Sequence, residues 1–182
     1  MNVVDSASLR AYKRKYNFFG TPDDLADRMA DMLPGGIGVG ARILEPSAGA
    51  GSLIRAIFRK VKFPVAPAEF CEIQESFVPG LVESGAVRVG SDFLGYSAPL
   101  RYDAIVMNPP FARRQDVSHV DHAWDCLAPG GRIVAVVSAM AGATLCEEYD
   151  GHVFWSETLP AGTFSETPTK TCLLLILKPL DR

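Results

Sequence analysis

The chain has 182 residues, 48% of them hydrophobic, with 18 basic and 21 acidic side chains and a net charge of −3. That length points to a single domain over 1–182 with a full core, residues 1–16 forming a polar N-terminal lead. The charge balance excludes a bulk basic field for nucleic acid, although not a local basic patch, and no run is long or apolar enough to span a membrane.

Cys71, Cys126, Cys146 and Cys172 form no Cys-x-x-Cys pair, which points to reduced thiols and a cytoplasmic setting. His119 and His122 share a helical face, but no acidic or cysteine set completes a metal site, so no metal is expected. Within the lead, Ser6 to Tyr16 suits a helix that clusters Arg10, Lys13, Arg14 and Lys15. Those charges read as a solvated face or as phosphate contacts.

In chain order, Thr21 is placed as an N-cap with Pro22 at the first helical position, and Asp23 and Asp24 favour the positive end of the helix dipole. Pro34-Gly35-Gly36 ends that helix. Arg42 to Glu45 is a first strand, followed by the small-residue turn Pro46-Ser47-Ala48-Gly49-Ala50-Gly51 and a helix from Ser52. Strand, small turn and helix let a ligand approach the backbone closely, though glycines also serve a bare turn. A second strand over Ala68–Ile73 ends in Glu72, about 20 residues past the glycine turn, where an acid commonly accepts ribose hydroxyls. A helix over Gln74–Ser84 and a third strand, Val87–Gly90, lead to Asp92-Phe93. Asp92 can accept from an exocyclic amine or simply cap its loop.

Tyr102–Met107 is a buried fourth strand, and Asn108-Pro109-Pro110-Phe111 follows it. Two prolines stiffen the loop, remove two backbone donors and leave carbonyls available. One amide, such carbonyls and a ring suit a flat, amine-bearing substrate, while a plain Pro-rich turn is the simpler alternative. Arg113 and Arg114 make the next piece basic. Val117–Leu127 reads as a helix broken by Pro129-Gly130-Gly131, before a buried strand over Arg132–Ser138. Ala139–Gly151 reads as a short helix or loop, His152–Leu159 as a strand, Pro160–Thr169 as a long connection and Thr171–Leu177 as the last strand. Two late strands without an intervening helix predict an antiparallel end to a parallel sheet. The turn lacks the third glycine of Gly-x-Gly-x-x-Gly, which favours a cofactor without pyrophosphate.

With these motifs in this order, the chain resembles the class I S-adenosylmethionine-dependent methyltransferases, specifically the enzymes acting on adenine N6. Phe19-Gly20-Thr21-Pro22 looks like the upstream methionine-binding motif, and Glu45 through Gly51 looks like the cofactor motif, with Ser47 where many members have glycine. Glu72-Ile73 looks like the ribose acid and its apolar neighbour, and Asp92-Phe93 like the adenine-flanking pair. Asn108-Pro109-Pro110-Phe111 matches the catalytic motif, and Phe164 looks like the second aromatic facing the target base.

The resemblance implies a Rossmann-like α/β fold: a mostly parallel seven-stranded sheet, an antiparallel last strand and helices on both faces. It implies cofactor contacts from Phe19, Thr21, Pro22, Glu45, Ser47, Gly49, Gly51, Glu72, Ile73, Asp92, Phe93 and Asn108. The catalytic loop would be Asn108, Pro109, Pro110 and Phe111, and Phe111, Arg113, Arg114 and Phe164 would hold substrate. S-adenosylmethionine would be consumed to S-adenosylhomocysteine, with nucleic acid, DNA first, as the substrate. The implied role is restriction–modification-type methylation. The bacterial modification enzymes usually carry a target-recognition domain after the last strand. Here the expectation is that none follows, and that target choice is relaxed or comes from a specificity subunit or a second copy. An RNA adenine N6 enzyme, a protein glutamine N5 enzyme and an inactive cofactor-fold subunit remain open alternatives.

Overall fold

The structure, a computed structural model, describes residues 19–33, 38–61, 66–98, 101–164 and 168–180. The expected lead helix with Arg10, Lys13, Arg14 and Lys15, and the Pro34-Gly35-Gly36 stop, lie outside the described residues.

Seven strands form one sheet in the order β3-β2-β1-β4-β5-β7-β6. They are β1 (Ile43–Glu45), β2 (Glu69–Cys71), β3 (Val87–Gly90), β4 (Tyr102–Met107), β5 (Leu127–Ser138), β6 (Val153–Thr158) and β7 (Thr171–Leu177). β1 pairs in parallel with β2 and β4, β2 with β3 and β4 with β5, whereas β7 runs antiparallel to β5 and β6. The mostly parallel sheet with an antiparallel end is therefore present. The helices are α1 (Asp23–Asp31), α2 (Ser52–Lys60), α3 (Val78–Glu83), α4 (Gln115–Cys126) and α5 (Ala139–Glu148).

The apolar runs of β4 and β5 are continuous because both faces of the sheet are covered. Successive residues alternate between two cores, as a pleated strand requires. Ile43, Ala104, Val106, Val134 and Val136 face one core with Leu25 and Met29 of α1 and Leu53 and Ile57 of α2. Leu44, Ile105, Met107, Ile133 and Ala135 face the other with Val120 and Ala123 of α4 and Leu145 of α5.

Three expectations change. The helix placed over Gln74–Ser84 forms only over Val78–Glu83. Its first part is turn, because the Gln74 N–H is taken by Glu72 and Pro79 fixes the start of the helix. Pro129-Gly130-Gly131 does not separate helix from strand, since β5 begins at Leu127 directly after α4. Tyr102 pairs with Leu127 and Ala104 with Arg132, so the Pro-Gly-Gly piece bulges out of the strand, with Gly130 at φ 77°. Thr21 does not cap α1, because its hydroxyl is engaged elsewhere and the Pro22 carbonyl takes the Ala26 N–H at 2.8 Å.

The strand order reverses between β1 and β4, and ligand crevices of open α/β sheets lie at the carboxyl ends of strands at such a point. The glycine turn, Glu72, Asp92 and Asn108 each follow the carboxyl end of β1, β2, β3 and β4.

Candidate active site

The turn after β1 is held by backbone geometry only glycine adopts cheaply. Gly51 has φ 81°, and a Cβ there would come 2.7 Å from Leu81 Cδ2. Three of its donors are committed inside the protein. The Ala48 N–H donates to Cys71 O at 3.1 Å, the Gly49 N–H to Glu72 Oε2 at 2.6 Å and the Gly51 N–H to Ala48 O at 2.8 Å. A phosphate nest needs such groups aimed at the ligand, so this turn suits a cofactor that brings none.

Glu72 is 3% exposed, and its other oxygen accepts the Gln74 N–H at 2.7 Å. It is thus both a strap on the glycine turn and a wall of the cleft. Glu45, also 3% exposed, accepts the Ile54 N–H at 3.1 Å. Burial pushes the Glu45 carboxyl well above the usual carboxylate range. The Ile54 N–H and Arg55 oppose that rise, and the Glu72 charge adds to it.

Asn108 is fixed from the opposite side. Its Nδ2 donates to Phe19 O at 2.8 Å and to Thr21 Oγ1 at 3.1 Å. With both amide hydrogens used, Oδ1 is left buried without a hydrogen-bond partner among the described residues. A buried acceptor without a partner costs roughly 1–3 kcal/mol, which a donor from a ligand would recover.

A cleft gathers most of the expected residues: Phe19, Ser47, Glu72, Ile73, Asp92 and Phe93, with the whole Asn108-Pro109-Pro110-Phe111 loop. A smaller adjoining cleft shares Phe19, Ser47 and Asn108 and adds Thr21 and Glu45. Ile73 is an exposed apolar residue, available as a platform. Asp92 Oδ1 accepts the Leu94 N–H at 3.1 Å, so the capping role is real and coexists with a place in the cleft. Phe93 is 2% exposed, its ring 5.7 Å from that of His119 and 4.7 Å from that of His122, so little of it is left to meet a flat ligand.

Phe111 stacks on Phe19 with centroids 6.1 Å apart and meets Phe164 edge-on at 6.2 Å. Phe164 is therefore beside the loop, but it is 5% exposed and lines a separate hollow before β7. Pro22, Gly49 and Gly51 shape the site from behind and do not line either cleft. Arg113 and Arg114 stand exposed at its rim in left-handed backbone, φ 55° and 60°.

Sequence reasoning missed three residues on α4. Gln115 and His119, four apart and so on one helical face, line the cleft. Their signal was that spacing at the start of a helix that begins four residues past Phe111. Asp116 is fully buried and accepts from the Val117 N–H, Ser138 N–H and Ser138 Oγ at 3.1, 3.0 and 2.7 Å. It ties α4 to the end of β5. Nothing in the local sequence distinguishes it from an ordinary first-turn acid.

Among the described residues there is no group of three His, Cys, Asp or Glu side chains able to hold a metal, and no helix long and apolar enough to cross a membrane.

Compared by sequence, the chain matches no protein-family model and no curated protein. Compared by structure, it is similar to many solved chains. The methyltransferase subunit of a type I restriction-modification system from Streptococcus thermophilus aligns with TM-score 0.73 and 18% identity, over 100% of this chain and 51% of that one. This chain thus spans about half the length of that subunit. A SAM-dependent O-methyltransferase from Thermotoga maritima aligns with TM-score 0.62 and 18% identity, over 99% and 74% of the two chains. The 23S rRNA methyltransferase ErmE aligns with TM-score 0.65 and 18% identity, over 91% and 72%. The fold is that of the Rossmann-like methyltransferases.

Proposed function

We propose that this chain transfers a methyl group from S-adenosylmethionine to the N6 amino group of adenine in nucleic acid, with DNA as the first substrate. The observation that carries the reading is the orientation of Asn108: both amide hydrogens point into the protein, and Oδ1 has no partner among the described residues.

The cofactor fits the residues present. Glu72 and Ile73 would hold its ribose and adenine, Asp92 the adenine edge, and Glu45 and Thr21 the amino-acid end. When bound, it supplies an electrophilic methyl group on a positively charged sulfur. Glu72 remains compatible with a ribose diol because a carboxylate accepts up to about four hydrogen bonds.

The adenine N6 lone pair is delocalised into the ring and is a poor nucleophile. Asn108 Oδ1 and the Pro109 carbonyl would each accept one N6–H, favouring a pyramidal nitrogen whose lone pair is available for attack. No group need remove a proton first, so position and electrostatics carry the rate. A base inside a duplex cannot reach this loop and must be flipped or already single-stranded. One face of Phe111 is already covered by Phe19, and Phe164 stands at its edge. A base would stack on the other face of Phe111, and the stack is worth roughly 1–3 kcal/mol.

The test is to supply labelled cofactor with single-stranded DNA, duplex DNA, RNA and protein extract, and to identify the modified group by mass spectrometry. N6-methyladenine in DNA, lowered at least about 100-fold in turnover by Asn108→Ala, supports the reading. Label in RNA adenine or in protein glutamine would move the substrate to those classes. Near-normal transfer by Asn108→Ala would overturn the mechanism.

A further inference from the structure

We propose that His119 is a specificity-determining residue of the cofactor site, its Nε2 accepting a hydrogen bond from the exocyclic amine of the purine alongside Asp92. The proposal rests on the reading of the cleft as an S-adenosylmethionine site.

His119 is 5% exposed and lines the cleft together with Ser91, Asp92 and Phe93. Its Nδ1 lies 2.8 Å from Gln115 O, one turn back on the same helix. A carbonyl only accepts, so Nδ1 carries the proton and donates, which makes Nε2 an acceptor. Among the described residues the ring's hydrogen bond is made at Nδ1, and none is made at Nε2. Phe93 packs on the ring at 5.7 Å and fixes its plane. The result is a rigid imidazole with its lone pair on the side opposite its own helix, in a wall it shares with a carboxylate. Two neighbouring acceptors match the two hydrogens of an exocyclic amine. They oppose a purine carrying a carbonyl oxygen at the same position, because acceptor would then face acceptor.

The protonation state agrees with this geometry. Burial lowers the His119 pKa from its ordinary 6.5. The Gln115 carbonyl, Asp92 from the loop after β3, and Asp116 favour the cation, whereas His122 on the same helix opposes it. A lowered pKa keeps Nε2 an acceptor through neutral pH. Acidification below it turns Nε2 into a donor that repels an amine.

Calorimetry with S-adenosylhomocysteine and its deaminated analogue S-inosylhomocysteine, between about pH 5 and about pH 8, tests this on wild-type protein, His119→Phe and His119→Gln. Wild-type protein should prefer the adenosyl ligand by roughly 100-fold or more, as expected of a site that hydrogen-bonds an amine. His119→Phe should narrow that preference about 10-fold, the worth of one hydrogen bond. His119→Gln keeps an acceptor near the position of Nε2 and should restore part of the preference. Adenosyl affinity should fall on the acid side in wild-type protein more than in His119→Gln, a difference that a purely structural role would not produce. If the Phe variant does not fold, the ligand ratio and pH profile of His119→Gln decide. An unchanged ratio and profile in the variants, with tight adenosyl binding by wild-type protein, overturns the role of His119 and leaves the cofactor reading standing. Failure of wild-type protein to bind either ligand overturns both.

Discussion

Asn108 Nδ2 donates to Thr21 Oγ1 at 3.1 Å across 87 residues of sequence. The segment before α1 therefore serves the loop after β4, and the Thr21 hydroxyl orients the Asn108 amide instead of capping a helix. Thr21→Val keeps the shape and removes that acceptor, while Phe19 O still holds one hydrogen. Turnover should fall up to about 10-fold with a stability loss of roughly 1 kcal/mol, the range of one neutral hydrogen bond. Steady-state kinetics beside urea unfolding checks this. A large stability loss with unchanged turnover would restore the capping role.

Glu72 both straps the glycine turn and lines the cleft. In Glu72→Gln one oxygen becomes an NH₂ group facing either the Gly49 or the Gln74 N–H, both of which the carboxylate now satisfies. The variant should lose about 1–3 kcal/mol of stability and about 1.5–3 kcal/mol of cofactor affinity, since a charge-assisted acceptor is lost. Denaturant titration and calorimetry at one pH separate the two losses. Full affinity in a folded variant would remove Glu72 from the cofactor site.

The sheet was legible because its signals are local: buried runs at Tyr102–Met107 and Ile133–Val137, the first ending in the Pro-Pro loop and the second running into α5. The strand-end residues Glu72, Asp92 and Asn108 were legible because each comes just after a short strand-forming run. What was not legible depends on distant partners. Thr21 has the sequence context of an N-cap, and only the arrival of Asn108 removes its hydroxyl. Asp116 resembles any first-turn acid until Ser138 is brought to it. Pro129-Gly130-Gly131 looks like a break, but pairing on both sides of it turns it into a bulge. Phe164 was placed by its position before β7, and its edge contact with Phe111 could come only from the packed loops.

Glu45 should make the ligand-free protein sensitive to pH. Burial raises its folded-state pKa above the unfolded value, so the folded state binds that proton more tightly. The contribution is fully present below the unfolded pKa and is lost as pH rises through the folded one. Glu45→Gln keeps an acceptor for the Ile54 N–H without a charge to bury. The variant should be more stable than wild type at neutral pH, and its stability should vary less from mildly acidic to neutral pH. It should also bind the cationic cofactor more weakly, because a cation in the adjoining cleft would offset the buried charge. Urea unfolding over that pH range, with and without cofactor, measures both. A variant destabilised at neutral pH would contradict the assignment.

Arg113 and Arg114 give the last prediction, because their backbone and their charge pull in opposite directions. Both are non-glycine residues at positive φ, 55° and 60°, immediately before α4. Left-handed backbone costs an L-residue roughly 1–2 kcal/mol. Among the described residues, the hydrogen bond made by these guanidinium groups is Arg114 Nη2 to Thr144 Oγ1 at 3.4 Å, too long to return much of that cost. Strain of this kind persists at binding sites when the side chains are needed there. Arg114→Gly should therefore stabilise the protein by up to about 1 kcal/mol, since glycine adopts this conformation freely but loses more entropy on folding. The same change should weaken binding to duplex DNA and reduce the slope of log K against log salt by about one, the loss of one phosphate contact. Arg113→Gly should do likewise, and the double variant should lose about two units of slope. Fluorescence anisotropy over a salt series, read beside denaturant unfolding, provides both quantities on the same samples. Stabilised variants with unchanged affinity and salt slope would show that these arginines face solvent and that nucleic acid is held elsewhere on the molecule.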